Sequence, residues 1–145
     1  MYFVDREKIG QNLLYLEKNI KLYEETQEWE GQLAESALER VVHAMIDCVL
    51  DVSNAIIDGF IMRDPGSYED IIDILLDENV ITGEMGQSFK RILPLRRMIV
   101  QDYLQVNHRQ LQAAMNENIE AFKLFPGAVR EYLENELGPV SAFKN

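Results

Sequence analysis

Apolar side chains return every three or four residues along almost the whole chain, a period that fits helices and little else. Ile9, Leu13, Leu16, Ile20 and Tyr23 share it, so residues 5–29 read as one long amphipathic helix. Asp5 suits its N-cap, with a carboxylate able to accept from the free N–H groups of the first turn. Across 32–61, Leu38, Val41, Met45, Cys48, Val52 and Ala55 keep the same steps, and Val42, Ile46, Val49 and Ile56 add a second apolar face. A helix apolar around most of its circumference belongs at the centre of a bundle or in an interface. Arg63-Asp64-Pro65-Gly66 ends it, and Ser67 opens a short helix to about Asn79, with Asp70 completing a capping-type Ser-x-x-Asp start.

After a turn at residues 80–83 the helical pattern resumes. Pro94 is expected to kink or restart it, because proline lacks a backbone donor and crowds the preceding turn. The pattern then continues from Leu95 to Val106. Asn107 caps the next helix, whose stripe is Leu111, Ala114, Met115, Asn118 and Phe122. Pro126-Gly127 is expected to break that helix, leaving a last short one over Ala128–Leu137, closed by Gly138-Pro139. No strand alternation, repeat or low-complexity segment interrupts the series. The expected fold is all-α, a bundle of four to five principal helices in a single domain over residues 1–137, with a short tail at 138–145.

Composition narrows the function. A chain of 145 residues can bury one sizeable core, and 47% hydrophobic residues set it apart from disordered acidic chains despite a net charge of −11. No apolar run is long enough for a transmembrane helix, and the charged start Met-Tyr-Phe-Val-Asp-Arg-Glu-Lys lacks a signal core. A cytoplasmic protein without membrane contact is expected. The lone Cys48 excludes an internal disulfide and a thiolate zinc site, and its place on the buried stripe reads as core packing.

A pI near 4.6 argues against a general nucleic-acid coater, but the charge is uneven. Residues 1–87 hold 6 basic and 19 acidic side chains, a balance of −13. Residues 88–109 hold Lys90, Arg91, Arg96, Arg97 and Arg109 against Asp102 alone, a balance of +4. Such an island is a candidate anion site, although surface charges are usually just solvated.

The sequence has no phosphate-binding glycine loop, serine elbow or zinc-protease helix. His43, Asp47 and Asp51 share i, i+4 spacing, but they belong to a longer polar stripe, Arg40-His43-Asp47-Asp51-Asn54-Asp58, which reads as a solvated face or polar cleft. No metal and no cofactor are expected.

The informative segment is Leu95-Arg96-Arg97-Met98-Ile99-Val100-Gln101-Asp102-Tyr103. It resembles the R-N-x-x-x-H-x-Y pattern of the HEPN superfamily, most closely its HepT-like branch, with Arg96 and Tyr103 matching the pattern's arginine and tyrosine. Leu38-Glu39-Arg40 is similar to that family's second-helix opening. Gly59, Pro65-Gly66-Ser67-Tyr68, Ile71 and Leu75 are similar to its second-to-third-helix segment. The likeness runs from Val4-Asp5 to about Phe122. It implies a two-fold homodimer with a metal-independent RNA-cleaving cleft at the interface, and an MNT-type nucleotidyltransferase antitoxin as partner.

By the same resemblance Arg96 would stabilise phosphate charge, and Tyr103 would receive AMP from the antitoxin. Gln101 stands where the pattern has histidine, and Arg97 where it has asparagine. Glutamine can donate a hydrogen bond but cannot exchange a proton near neutrality. Cleavage is therefore expected to be weakened, and an inactive homodimeric binding module is the alternative. Asp102 is the nearest substitute base, and an ordinary aspartate pKa of about 3.9 makes it a poor one.

Spacing adds a point of its own. Arg96 and Gln101 lie roughly 140° apart around an ideal helix, and Arg96 and Tyr103 roughly 10 Å apart along it. One straight helix therefore does not converge these groups, whereas a two-fold dimer can bring such groups from two chains together. Lys90 and Arg97, seven residues apart, would share a face and guide RNA if Pro94 leaves the register intact.

Overall fold

A computed structural model describes residues 2–138, and among them five α-helices and no strand are present. The helices are α1 (Arg6–Glu25), α2 (Gln32–Gly59), α3 (Tyr68–Asp77), α4 (Gly83–Val100) and α5 (His108–Leu137). A single 3-10 turn, Tyr103–Gln105, links α4 to α5. The all-α expectation holds. The expected tail lies outside the described residues except for Gly138, whose carbonyl accepts from Arg6 Nη1 at 2.9 Å.

The α2 helix is the axis of the bundle. Fourteen of its 28 residues are buried, and it touches each of the other four helices. Leu38, Val42, Met45, Val52 and Ile56 are fully enclosed, as the two apolar faces required. Around it, α1 contributes Ile9, Leu13 and Leu16, and α5 contributes Leu111, Met115, Phe122 and Phe125. The Phe89 ring of α4 meets Phe122 and Phe125 edge-on, with centroids 5.2 and 5.6 Å away. Two glycines permit close approach. A Cβ at Gly86 would stand 2.7 Å from the Leu76 side chain where α4 crosses α3, and one at Gly59 would stand 2.8 Å from Val4.

Capping follows the sequence closely. Asp5, Ser67, Thr82 and Asn107 each accept from the backbone N–H three residues on. Helices α2 and α3 close with paired 6→1 and 5→2 hydrogen bonds around a left-handed residue, Ile61 (φ 56°) and Asn79 (φ 59°). Asparagine tolerates that conformation, but a β-branched isoleucine is strained there.

Both prolines sit inside continuous helices, so α4 does not restart at Pro94 and the break expected at Pro126 is corrected. Pro94 lies within α4, and Pro126 lies within α5, so no separate helix starts at Ala128. Each proline removes one backbone donor. The apolar stripes on either side are buried, with Ile92, Leu95 and Ile99 in one case and Phe122, Phe125, Val129 and Leu133 in the other, and that burial offsets the lost bond. Conversely, the helix expected over Leu95–Val106 stops at Val100. The N–H groups of Gln101 and Asp102 both donate to the Arg97 carbonyl, at 2.8 and 3.1 Å, and turn the chain outward.

The α2–α3 corner is closed by charge. Asp70 takes two bonds from the Arg63 guanidinium at 2.7 Å each and one from the Gly66 N–H at 2.9 Å. The Arg63 bonds chiefly, then that backbone bond, pull the Asp70 carboxyl down to about 2. A depressed carboxyl contributes stability that is present above its unfolded pKa of about 3.9 and is lost as pH falls through the folded value. Asp70→Asn is therefore expected to lower the melting temperature near neutrality and to flatten its fall between about pH 4 and pH 2. A melting series over that range, with variant and wild type still parallel, would count against this role.

Candidate functional site

The chemistry-bearing side chains collect where α2, α3 and α4 meet. The polar stripe of α2 faces the last turns of α4, and Arg96 Nε donates to Asp47 Oδ1 at 2.7 Å. The Arg96 guanidinium lies over the Tyr68 ring, 4.8 Å from its centroid, where the ring's negative face attracts a cation. Tyr68 is the first residue of α3, so the Ser67 cap fixes it in place. The hydrogen bond to Asp47 raises the Arg96 pKa above its ordinary value, and the group stays charged.

One turn earlier on α2, His43 Nε2 is 2.8 Å from the other Asp47 oxygen, Oδ2. Asp47 thus sits between a guanidinium and an imidazole. Farther along the stripe, partial desolvation first and then the Asp47 charge raise the Asp51 pKa. Burial, with both carboxylates nearby, pushes the Cys48 thiol up to about 11, consistent with an inert packing role. Among the described residues no group of three His, Cys, Asp or Glu side chains has an arrangement that could hold a metal.

The basic island is only partly available. Lys90 is ion-paired to Asp73 of α3 at 2.5 Å, with Glu69 at 3.9 Å, and Arg91 donates to Asn118 of α5 at 3.2 Å. Arg91, whose asparagine partner is neutral, Arg97 and Arg109 are exposed without an ion-pair partner among the described residues. Because α4 runs unbroken through Pro94, Lys90 and Arg97 keep their helical register, yet acidic neighbours on α3 already hold Lys90.

The motif itself is divided. Arg96 is half-buried in the α2–α3–α4 cluster, whereas Gln101 to Gln105 are exposed and line a shallow surface hollow of about 350 Å³. Tyr103 is 65% exposed and Leu104 88%, so the tyrosine hydroxyl is open to a second protein. Arg96 lies on α4 and Tyr103 on the 3-10 turn after it, so the straight-helix spacing does not describe the pair. Asp47 and Tyr68, the two groups that hold Arg96, were not named as site residues from sequence. The signal that could have found Asp47 is the polar stripe on an otherwise apolar central helix.

Residues 9–129 match the family described as Ribonuclease HepT-like. The chain is 46% identical over 144 residues to the putative RNase YutE of Bacillus subtilis, covering 99% of this chain and 100% of that protein. The solved structure of YutE, described as a cytosolic protein of unknown function, superposes with a TM-score of 0.95 over 99% of this chain and 100% of that one. A tri-AMPylated HEPN toxin of Shewanella oneidensis, solved in complex with its MNT antitoxin, shares the fold at 19% identity. Its TM-score is 0.74, over 85% of this chain and 96% of that one.

Proposed function

Because the chain belongs to the HepT-like family of the HEPN superfamily, we propose that it is the toxin-family member of a toxin–antitoxin pair. In this reading it forms a homodimer that engages RNA at Arg96 and cleaves it slowly without a metal. An MNT-type nucleotidyltransferase antitoxin silences it by attaching AMP to Tyr103. The observation that carries the reading is the position of Tyr103, strongly exposed on the turn directly after the helix that bears Arg96. A phosphate-bearing group added there would oppose an incoming RNA strand by charge and bulk.

The remaining parts have physical support. Arg96 is fixed by Asp47 and Tyr68, and a planar fork of N–H donors suits a phosphodiester. Gln101 can donate to phosphate but carries no proton to exchange, which is the reason for slow cleavage. Val100, Tyr103 and Leu104 form an exposed apolar cluster of the kind another chain covers. YutE, described as cytosolic, supports the same location here.

Incubation with the cognate nucleotidyltransferase and ATP should add AMP to the wild type and none to Tyr103→Phe, read by intact mass. A wild type that stays unmodified would remove Tyr103 from this role. The second reading, a binding module without catalysis, is favoured by one observation: Asp47 already neutralises Arg96. That module would bind its partner tightly with neither RNA cleavage nor modification.

A further inference from the structure

His43 is not explained by the motif. Its Nε2 atom is sealed from solvent, and although it is 2.8 Å from Asp47 Oδ2, the contact is not aligned as a hydrogen bond. A buried polar atom left without a partner calls for a reason. The other ring nitrogen, Nδ1, takes part in no hydrogen bond among the described residues and is not among their buried unpartnered atoms. Arg96 donates through Nε to Asp47 Oδ1, leaving its terminal Nη groups without a hydrogen bond among the described residues.

Imidazole and guanidinium therefore stand on the two oxygens of one carboxylate, at 2.8 and 2.7 Å. The distance from His43 Nε2 to Arg96 Nε cannot exceed the width of that carboxylate plus two short contacts, which makes the two side chains neighbours. A phosphodiester and the adjoining 2′-hydroxyl extend over a similar span.

The geometry points to His43 as the general base for RNA cleavage at this site, one half of the proton transfer, while the acid for the leaving group is the half that Gln101 leaves unfilled. This rests on the RNA-cleaving reading above. His43 Nδ1 takes the proton of the 2′-hydroxyl as that oxygen attacks phosphorus. The new P–O2′ bond forms while the P–O5′ bond breaks, the leaving 5′-oxygen takes its proton from water in the absence of a protein acid, and the imidazolium returns its proton to solvent. The products are a 2′,3′-cyclic phosphate and a 5′-hydroxyl, with no net gain or loss of protons.

Asp47 orients both groups, and its contact with Nε2 matters most when the ring is charged. Nε2 lies 2.8 Å from the carboxylate, so the attraction between them strengthens as the ring becomes charged. Arg96 meanwhile meets the charge growing on the phosphate oxygens.

The test uses the full chain and an end-labelled single-stranded RNA in EDTA. His43→Gln is expected to lose at least about 100-fold in cleavage rate with its melting transition retained. In His43→Ala, added imidazole is expected to restore cleavage, whereas pyrazole, which has the same shape but is a far weaker base, is not. A His43→Gln variant as fast as wild type would overturn the role of His43 and leave the RNA-cleaving reading standing. A loss restored by neither additive, or by both equally, would also overturn it. A wild type that does not cut RNA would overturn both.

Discussion

Gln101→His should raise metal-independent RNA cleavage about 10²–10⁴-fold, the usual contribution of a placed acid–base group. In barrier terms that is about 3–5 kcal/mol, large enough to separate clearly from preparation-to-preparation variation. The substitution carries little structural risk. Gln101 is exposed at the C-terminal cap of α4, and only its backbone N–H is used, donating to the Arg97 carbonyl at 2.8 Å. A cationic imidazole at a helix C-terminus is also favoured by the helix dipole. The measurement is the rate of RNA cutting in EDTA by wild type and variant side by side. If the variant is no faster, the view of Gln101 as a degenerate catalytic position loses its support.

The opposite change comes from Arg96→Ala, expected to reduce cleavage about 10²–10³-fold by removing the donor that meets phosphate charge. The same substitution leaves Asp47 without its guanidinium and Tyr68 without its cation. Arg96 and Asp47 are both partly open to solvent, with side chains 20% and 34% exposed, so the stability cost should be only about 1 kcal/mol. Kinetics and melting therefore separate the two effects. Arg96→Lys keeps a charge but not the flat fork held between Asp47 and Tyr68, so it should restore only part of the rate. A lysine variant equal to wild type would mean that charge alone suffices at this position.

Most of the fold was legible because helical periodicity and capping chemistry are local properties. Asp5, Ser67 and Asn107 were each identifiable as caps from their residue type and from the apolar stripe that follows. The restart at Pro94 and the break at Pro126 were misread for the converse reason. A proline's local cost is visible in sequence, but the buried stripes that outweigh it, such as Phe125, Val129 and Leu133, act through contacts with other helices. The early end of α4 was also hidden, since a shared Arg97 carbonyl leaves no mark on side-chain pattern.

The candidate site was legible only along its own segment. Arg96, Gln101 and Tyr103 could be singled out through the resemblance to a known motif. Asp47 lies 49 positions from Arg96, and spacing along one helix carries no information about pairing across two. The charge balance of +4 over residues 88–109 overstated the free basic surface. Asp73 and Glu69 reach Lys90 from α3, and Asn118 engages Arg91 from α5. What remains of the segment exposed and without a carboxylate partner among the described residues is Arg91, Arg97 and Arg109.

The proposed function couples RNA cleavage at Arg96 to silencing at Tyr103 on the adjoining turn. It is tested most directly by RNA cutting in EDTA with purified wild type, before and after treatment with the nucleotidyltransferase and ATP. Slow cutting that ceases as intact mass shows AMP arriving on Tyr103 is the expected result. An untreated protein that leaves RNA intact, or one that cuts equally well after modification, would contradict it.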